Sequence, residues 1–389
     1  MNTEKTIQVN VLPVLTYNFL NVNGSKIALP DLNKASVNSP KATALPAGIT
    51  LKEKVSFEEA GEIFRANKDK ILIDAGIPGD PNGDTTYLHT SQAVRTGMGA
   101  EIDNLMISAG ANADIYTAEE NQKVTEPVVI PYHIGNSEAA LSAQVIHAKK
   151  NSDITVIFTY DSDDDAEGFC GVSTRVFAEE GAHVTICKVQ TFGNGVVHFD
   201  DFGGACLEKA KVDLVSLELG GCKGWNGSYV YLSGRESVFN SNMGYLCRDD
   251  HSLDINYVTD HRGKKTEGYM QFKGVLMDNA QKNFRGTLDF KSGSAGSIGD
   301  EQEDALLLSP DIINKTMPVI LCQEEDVEGR HGATIGQLSD ELLFYMQCRG
   351  IDEEEAKRIM VKARLESVSR LIHDAQIMQK VLYYIQNIV

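Results

Sequence analysis

Apolar and polar positions alternate with a period of two through most of the middle of the chain. Runs at residues 153–160, 183–189, 212–219, 228–232, 253–258 and 269–276 set β-branched and aromatic side chains against polar ones. This is the pattern of strands. Small or charged corners lie around them: Glu180-Gly181-Ala182, Lys209-Ala210-Lys211, Gly234-Arg235-Glu236 and Asp278-Asn279-Ala280. The corners return about every 25–30 residues, which suggests stacked coils rather than hairpins. Asn-Gly turn pairs are few, and no helical segment is placed to cross between parallel strands. A parallel β-helix satisfies both facts, because each coil stacks on the last without a crossover helix. The alternation alone leaves a β-sandwich open.

Helical periodicity marks the flanks. Ser56 predicts an N-cap with Glu59 three residues on, and Ala60, Ile63 and Phe64 fall on one face. Residues 76–84 read as a loop, and a further short helix is expected at 90–94 or at 118–122. At the other end, Ser339 predicts a helix start and Gly350 its stop. Asp352 with Glu355 predicts the next start, followed by a stripe of Ala356, Ile359, Met360, Ala363, Val368, Leu371 and Ile372. Residues 375–389 form a last apolar helical segment. The expected chain is mainly β, with a mixed, partly helical part over 1–125, a β-helix core over 126–338 and a helical part over 339–389.

Composition narrows the partners. Lys and Arg number 36 against 55 Asp and Glu, a formal charge of −19, which repels nucleic-acid phosphates. No apolar run approaches the roughly 20 residues that span a bilayer, so no membrane association is expected. Met1-Asn2-Thr3-Glu4-Lys5 opens no secretory signal. The seven cysteines are odd in number and form no Cys-x-x-Cys pair. That argues against a disulfide framework or structural zinc and for a reduced, cytoplasmic setting.

Several motifs fail their own requirements. Residues 220–227 are glycine-rich but lack the phosphate-loop spacing, and Gly97-Met98-Gly99 lacks the third glycine of a dinucleotide turn. No nucleotide site of its own is therefore expected. The acidic run 161–167 has Ala166 and Val172 where a calcium loop needs Gly and Glu. His183 and Cys187 share a strand face and could share a metal, though a packed face is the plainer reading. Asp200/Asp201 and Asp249/Asp250 are the paired carboxylates that a β-helical carbohydrate-active enzyme would use.

The stretch 318–351 combines an apolar strand running into Cys322, an acidic run, and Arg330-His331 beside Gly332-Ala333-Thr334-Ile335-Gly336. Imidazole suits iron, and thiolates suit iron–sulfur clusters. Asp326-Val327, His331-Gly332-Ala333-Thr334 with Gly336, Phe344-Tyr345 and Arg349-Gly350-Ile351 together resemble the C-terminal signature of the SufB/SufD family of the SUF iron–sulfur assembly system. Leu12-Pro13, Thr16-Tyr17-Asn18, Leu20 and Val22-Asn23 resemble the opening of SufD-type members, whereas residues between about 25 and 125 match poorly.

The resemblance implies a β-helical core flanked by helical parts, which decides against the sandwich. It implies a scaffold subunit rather than an enzyme, paired with a SufB-type protomer or with itself. A SufC-type ATPase would dock on the C-terminal helical part, where Phe344, Tyr345, Arg349, Gly350 and Ile351 lie. A transient iron–sulfur cluster would form at the subunit contact. His331 holds the position of a histidine tied to cluster assembly in SufD-type members, and Cys322 sits at the spacing of a SufB-type cysteine. Two departures stand out. Gly329 replaces the cysteine of the SufD-type Asp-Asp-Val-x-Cys-x-His run, and Glu303 is the nearest match to the SufB-type cysteine ahead of Leu306-Leu307-Leu308. They favour a SufD-like role or a divergent homodimer. A metal-free structural partner of an ABC-type ATPase is the remaining alternative.

Overall fold

A computed structural model describes residues 6–71 and 94–388, apart from 15, 17, 33, 34 and 38. The loop expected at 76–84 lies outside the described residues, as does all of the helix expected at 90–94 except Val94.

Beside a two-stranded antiparallel pair, Thr6–Val9 and Ser25–Ala28, the strands from Asn112–Ala118 onward alternate between two sheets, one of nine strands and one of eight. From Asn112–Ala118 onward, each strand pairs in parallel with the strand two places along the chain. The result is a parallel β-solenoid of about 8 turns, with helices at both flanks. The six runs read from alternation lie on Asp153–Ser162, His183–Gln190, Lys211–Glu218, Lys223–Leu232, Ser252–His261 and Glu267–Leu276, with Leu219 alone falling one residue past its strand. Alternation works here because one residue parity fills the lumen and the other faces outward. Val212 and Leu214 join the lumen core, while Val215 and Leu217 pack outside it.

The corners stack as closely as the strands. Asn121, Asn151, Gly181, Lys209, Glu236, Lys265 and Gly296 all have positive φ, one per coil. Each donates its N–H to a carbonyl of the next coil, as from Asn151 to Glu180 at 2.9 Å and from Lys209 to Arg235 at 2.9 Å. A left-handed non-glycine residue costs about 1–2 kcal/mol, which the interlocked column offsets. The same column corrects the helix expected at 118–122. Ala118 ends a strand, and Asn121 (φ 60°) makes the left-handed corner. Stacking on the next coil overrides local helix propensity there.

The two ends of the solenoid differ. At the N-terminal end, Ile49–Ser56 runs antiparallel to Asn112–Ala118 and closes the nine-stranded sheet. Ser56 caps as expected, accepting from the Glu59 amide at 3.1 Å. The helix then breaks into Phe57–Ala60, Glu62–Arg65 and Lys68–Ile71. At the other end, the last coil consists of Ile313–Cys322 and Val327–Gly336. Among the described residues, each has a neighbouring strand on one side alone.

Three helices follow: Asp340–Gln347, Glu353–Ser369 and Ala375–Ile388. Ser339 accepts from the Leu342 amide at 3.2 Å, and Asp352 from Glu355 at 2.8 Å. Gly350 (φ 82°) ends the first helix, with the Ile351 amide bonded back to Met346 O at 3.1 Å. The stripe read for the second helix is corrected in part: Ile359, Ala363 and Leu371 face water, while Val361 and Leu365 are buried with Ala356, Val368 and Ile372. The eight-stranded sheet and the last helix hold this helix from two directions. That contact geometry, rather than the apolar stripe, sets which face is inside.

Candidate functional site

The strand register determines what the open last coil presents. In a parallel, in-register pair, facing residues point to the same side of the sheet. His331 pairs with Glu301 and Cys322 with Phe290. Glu301 and Phe290 are buried lumen residues. The register therefore puts both His331 and Cys322 on the lumen parity of a coil that no further coil covers among the described residues, and both are exposed. The Cys322 thiol donates to Glu324 O at 3.0 Å.

Directly beneath lies a buried polar cluster in the lumen. Lys282 and Glu303 form a fully buried ion pair. Thr316 Oγ1 donates to Glu303 Oε2 at 2.7 Å, and Tyr245 donates to Glu303 Oε1 at 2.9 Å. Lys282 Nζ donates to Thr316 Oγ1 at 3.0 Å and lies over the Phe284 ring, 5.3 Å from its centroid. Burial pushes the Lys282 amine down, against the pull of Glu303. Glu301 is raised to about 8 by burial and then by the neighbouring Glu303 charge. Burial therefore favours the neutral form of Glu301, and its Oε1 has no partner among the described residues. Chemically, the open coil carries a thiol at the end of one strand and an imidazole on the other, with the buried Glu301 carboxyl one coil below His331.

The lumen cluster is invisible to motif reading. Asp300-Glu301-Gln302-Glu303-Asp304 looks like a solvated acidic run, yet its odd positions turn inward. The available signal was parity: counting by two from Ala305 puts Glu303 and Glu301 on the buried face. A second inward cluster sits deeper. Lys188 pairs with Asp200 in a nearly closed environment and donates to Thr174 Oγ1 at 3.0 Å. Tyr160 donates to Asp200 Oδ2 at 3.0 Å.

Glu218 accepts from Asn226 at 2.9 Å, and burial raises its carboxyl to about 8. Its folded value therefore exceeds the unfolded 4.5. The stability that the neutral acid brings is complete below 4.5 and is lost as pH rises through 8. Glu218→Gln lacks that slope. Relative to wild type, it is expected to gain about 4 kcal/mol between pH 5 and pH 8.5, at roughly 1.4 kcal/mol per pK unit. Urea unfolding at the two pH values measures this, and parallel pH profiles would show that Glu218 does not titrate in this range.

The other residues singled out from sequence are placed as follows. Asp200 and Asp201 are both buried but on opposite faces of one strand, Asp200 toward Lys188 and Asp201 toward Arg175. They cannot flank a glycosidic bond together, which corrects the paired-carboxylate reading. Asp249 and Asp250 are exposed corner residues, Asp249 accepting from Asn194 at 3.5 Å and Asp250 from Asn279 at 3.2 Å. His183 Nε2 lies 2.6 Å from Asp213 Oδ2, while Cys187 is buried. Phe344 and Tyr345 are 68% and 57% exposed, and the Arg349 guanidinium stacks 5.2 Å over the Tyr345 ring. Among the described residues, no three His, Cys, Asp or Glu side chains gather closely enough to hold a metal, and no helix is long and apolar enough to cross a membrane.

Residues 132–364, more than half of the chain, match the family model described as SUF system FeS cluster assembly, SufBD core domain. The chain belongs to the SufB/SufD family. Within it, this is a SufD-like member. It is 26% identical over 254 residues to the iron–sulfur cluster assembly protein SufD of Bacillus subtilis, covering 64% of this chain and 58% of that one. It is 23% identical over 271 residues to SufD of Escherichia coli, covering 68% and 64%. A SufBD family protein of Pyrococcus horikoshii is 26% identical over 260 residues, covering 64% and 56%. The SufD-like chain thus spans about three-fifths of the length of these curated relatives.

Proposed function

We propose that this SufD-like chain is a scaffold subunit for iron–sulfur cluster assembly that works in a complex rather than as an enzyme alone. The observation that carries the reading is the open last coil, with His331 on its lumen parity above the buried Glu301. Among the described residues, no further strand pairs with the two sheet edges that end there, and such edges pair readily with another chain. A SufB-type protomer, or a second copy of this chain, fits that edge. Ligands from a partner would complete a transient cluster site that His331 and Cys322 begin. The cluster is cargo: it is built at the contact and passed on. A SufC-type ATPase docks on the C-terminal helices, where Phe344 and Tyr345 stand exposed beside the Arg349-Gly350-Ile351 turn. Nucleotide energy enters through that partner. The seven free cysteines suit a reducing cytoplasm.

His331→Ala is expected to cut iron and sulfide loading of the co-purified complex about tenfold, the scale on which lost ligand-shell groups act. Anaerobic reconstitution followed by visible absorbance and iron analysis measures it. His331 is exposed, so the melting temperature should stay unchanged. Full loading of the variant would remove His331 from the site.

A further inference from the structure

The residues read near the start of the chain, among them Leu12, Thr16 and Asn23, lie at the tip of a hairpin laid across the outside of the nine-stranded sheet. Its arms are Thr6–Val9 and Ser25–Ala28. Asn23 closes the tip: its carbonyl accepts from the Leu12 amide at 3.0 Å, and its Oδ1 from the Thr16 amide at 2.8 Å. Successive coils then hold the hairpin in turn. Trp225, Asp254, Asn283 and Lys315 stand in register on adjacent strands. Trp225 Nε1 donates to Ser25 Oγ at 3.0 Å, and Asp254 Oδ1 accepts from Asn10 Nδ2 at 2.7 Å. Arg285, in a buried ion pair with Asp254, donates to Val22 O. Lys315 Nζ donates to Leu20 O at 3.0 Å. The tip thus reaches the last strand of this sheet, Ile313–Cys322, and there Phe19 is 78% and Leu20 38% exposed.

The outward face of the sheet changes character at the same place. On Gln281–Phe290 the outward residues are Gln281, Asn283, Arg285, Thr287 and Asp289, all polar. On Ile313–Cys322 they are Ile313, Lys315, Met317, Val319 and Leu321, apolar but for Lys315. Thr316 and Ile320 turn toward the lumen, which fixes that parity. Ile313 is exposed, and Met317, Val319 and Leu321 are half-buried. An apolar stripe at an uncovered edge suits a protein surface better than water.

Parity and symmetry decide what covers the stripe. Two copies meeting through this strand, antiparallel about a two-fold axis, set outward residues against outward residues. Pairing about Met317 puts Lys315 opposite Val319 of the second copy, and pairing about Pro318 puts it opposite Leu321. The tip held by Lys315 comes with it. Pro318 brings no amide to such an edge, so side-chain contacts carry more of the association. We infer that the hairpin tip is one half of a crossed contact between two copies of this chain. Phe19 and Leu20 of each copy pack on Val319 and Leu321 at the far end of the other copy's last strand. The contact rests on the reading of the open coil as a pairing edge.

Sedimentation velocity of the full chain tests this, together with oxidative cross-linking. The wild type should dimerise with a Kd of about 10 µM or tighter. Phe19→Ser/Leu20→Ser should raise that Kd about a hundredfold, because each dimer loses the contact twice. The melting temperature of the dilute monomer should not move, since Arg285 and Lys315 hold backbone carbonyls of the hairpin and not these side chains. In a Cys322→Ser/Cys348→Ser background, Phe19→Cys with Val319→Cys or with Leu321→Cys should give a disulfide-linked dimer, and Phe19→Cys alone should not. An unchanged Kd for the serine variant, or a dimer that neither cysteine pair links, overturns the inference and leaves the open coil standing as a pairing edge. A wild type that stays monomeric at about 100 µM also overturns it, and pairing with a SufB-type protomer then decides the open-coil reading separately.

Discussion

Lys282→Met is expected to lower the unfolding free energy by about 3–5 kcal/mol, the cost of stranding one member of a buried ion pair. Glu303 would remain in the lumen with Tyr245 and Thr316 as its only described partners. Neither hydroxyl neutralises a carboxylate. The double variant Lys282→Met/Glu303→Leu removes both charges from a site that Phe284 and Tyr245 already line. It should recover most of the loss, since a packed apolar pair replaces a buried ion pair at little cost. Chemical denaturation of the two variants and wild type measures the difference. A double variant as unstable as the single one would mean that the cluster serves packing rather than charge pairing. The cluster lies immediately beneath the last coil, so the same measurement tests whether the open end is held from below.

Phe344→Ser/Tyr345→Ser is expected to abolish capture of a SufC-type ATPase, weakening binding at least a hundredfold if either aromatic is a hot spot. Both rings are exposed and contribute little to the helix core, so the melting temperature should hold. This variant is more informative than deleting residues 340–389. That deletion should also lose the partner, but it strips Val361, Leu365 and Val368 from the eight-stranded sheet and exposes an apolar face. Pull-down with tagged ATPase measures both. Retained binding in the double variant would move the docking surface off this helix, and retained binding in the deletion would move it off the C-terminal part.

Much of the fold was legible because a solenoid repeats its physics. Alternation marks six of the strands, and a turn of small or charged residues marks four of the corners. The caps at Ser56, Ser339 and Asp352 were legible for a different reason: each is a local bond within three residues of its donor. Where a tertiary neighbour decides, local reading fell short. The segment 118–122 makes a corner because the next coil needs a left-handed donor at Asn121. The helix Ala100–Ala109, flanked by glycines at 99 and 110, carries only a weak local signal. Ile359 and Leu371 look like core residues until the sheet and the last helix fix the inward face.

The candidate site divides in the same way. His331 and Cys322 stand out by residue type and by their place in a motif. Lys282, Glu301 and Glu303 come from distant stretches of polar sequence, and only the register brings them under the open coil. Asp200 and Asp201 show the converse: neighbours in sequence, they end on opposite faces, each beside a different buried cation.

The order of residues by itself determined the period-two strands, the coil repeat and the helical caps, because these depend on contacts a few residues apart or on a parity that needs no partner. The tertiary structure alone decided which polar groups share the lumen, which coil stays uncovered, and which side chains stand at its mouth. Those are properties of register, and register emerges only when strands far apart in the chain are laid side by side.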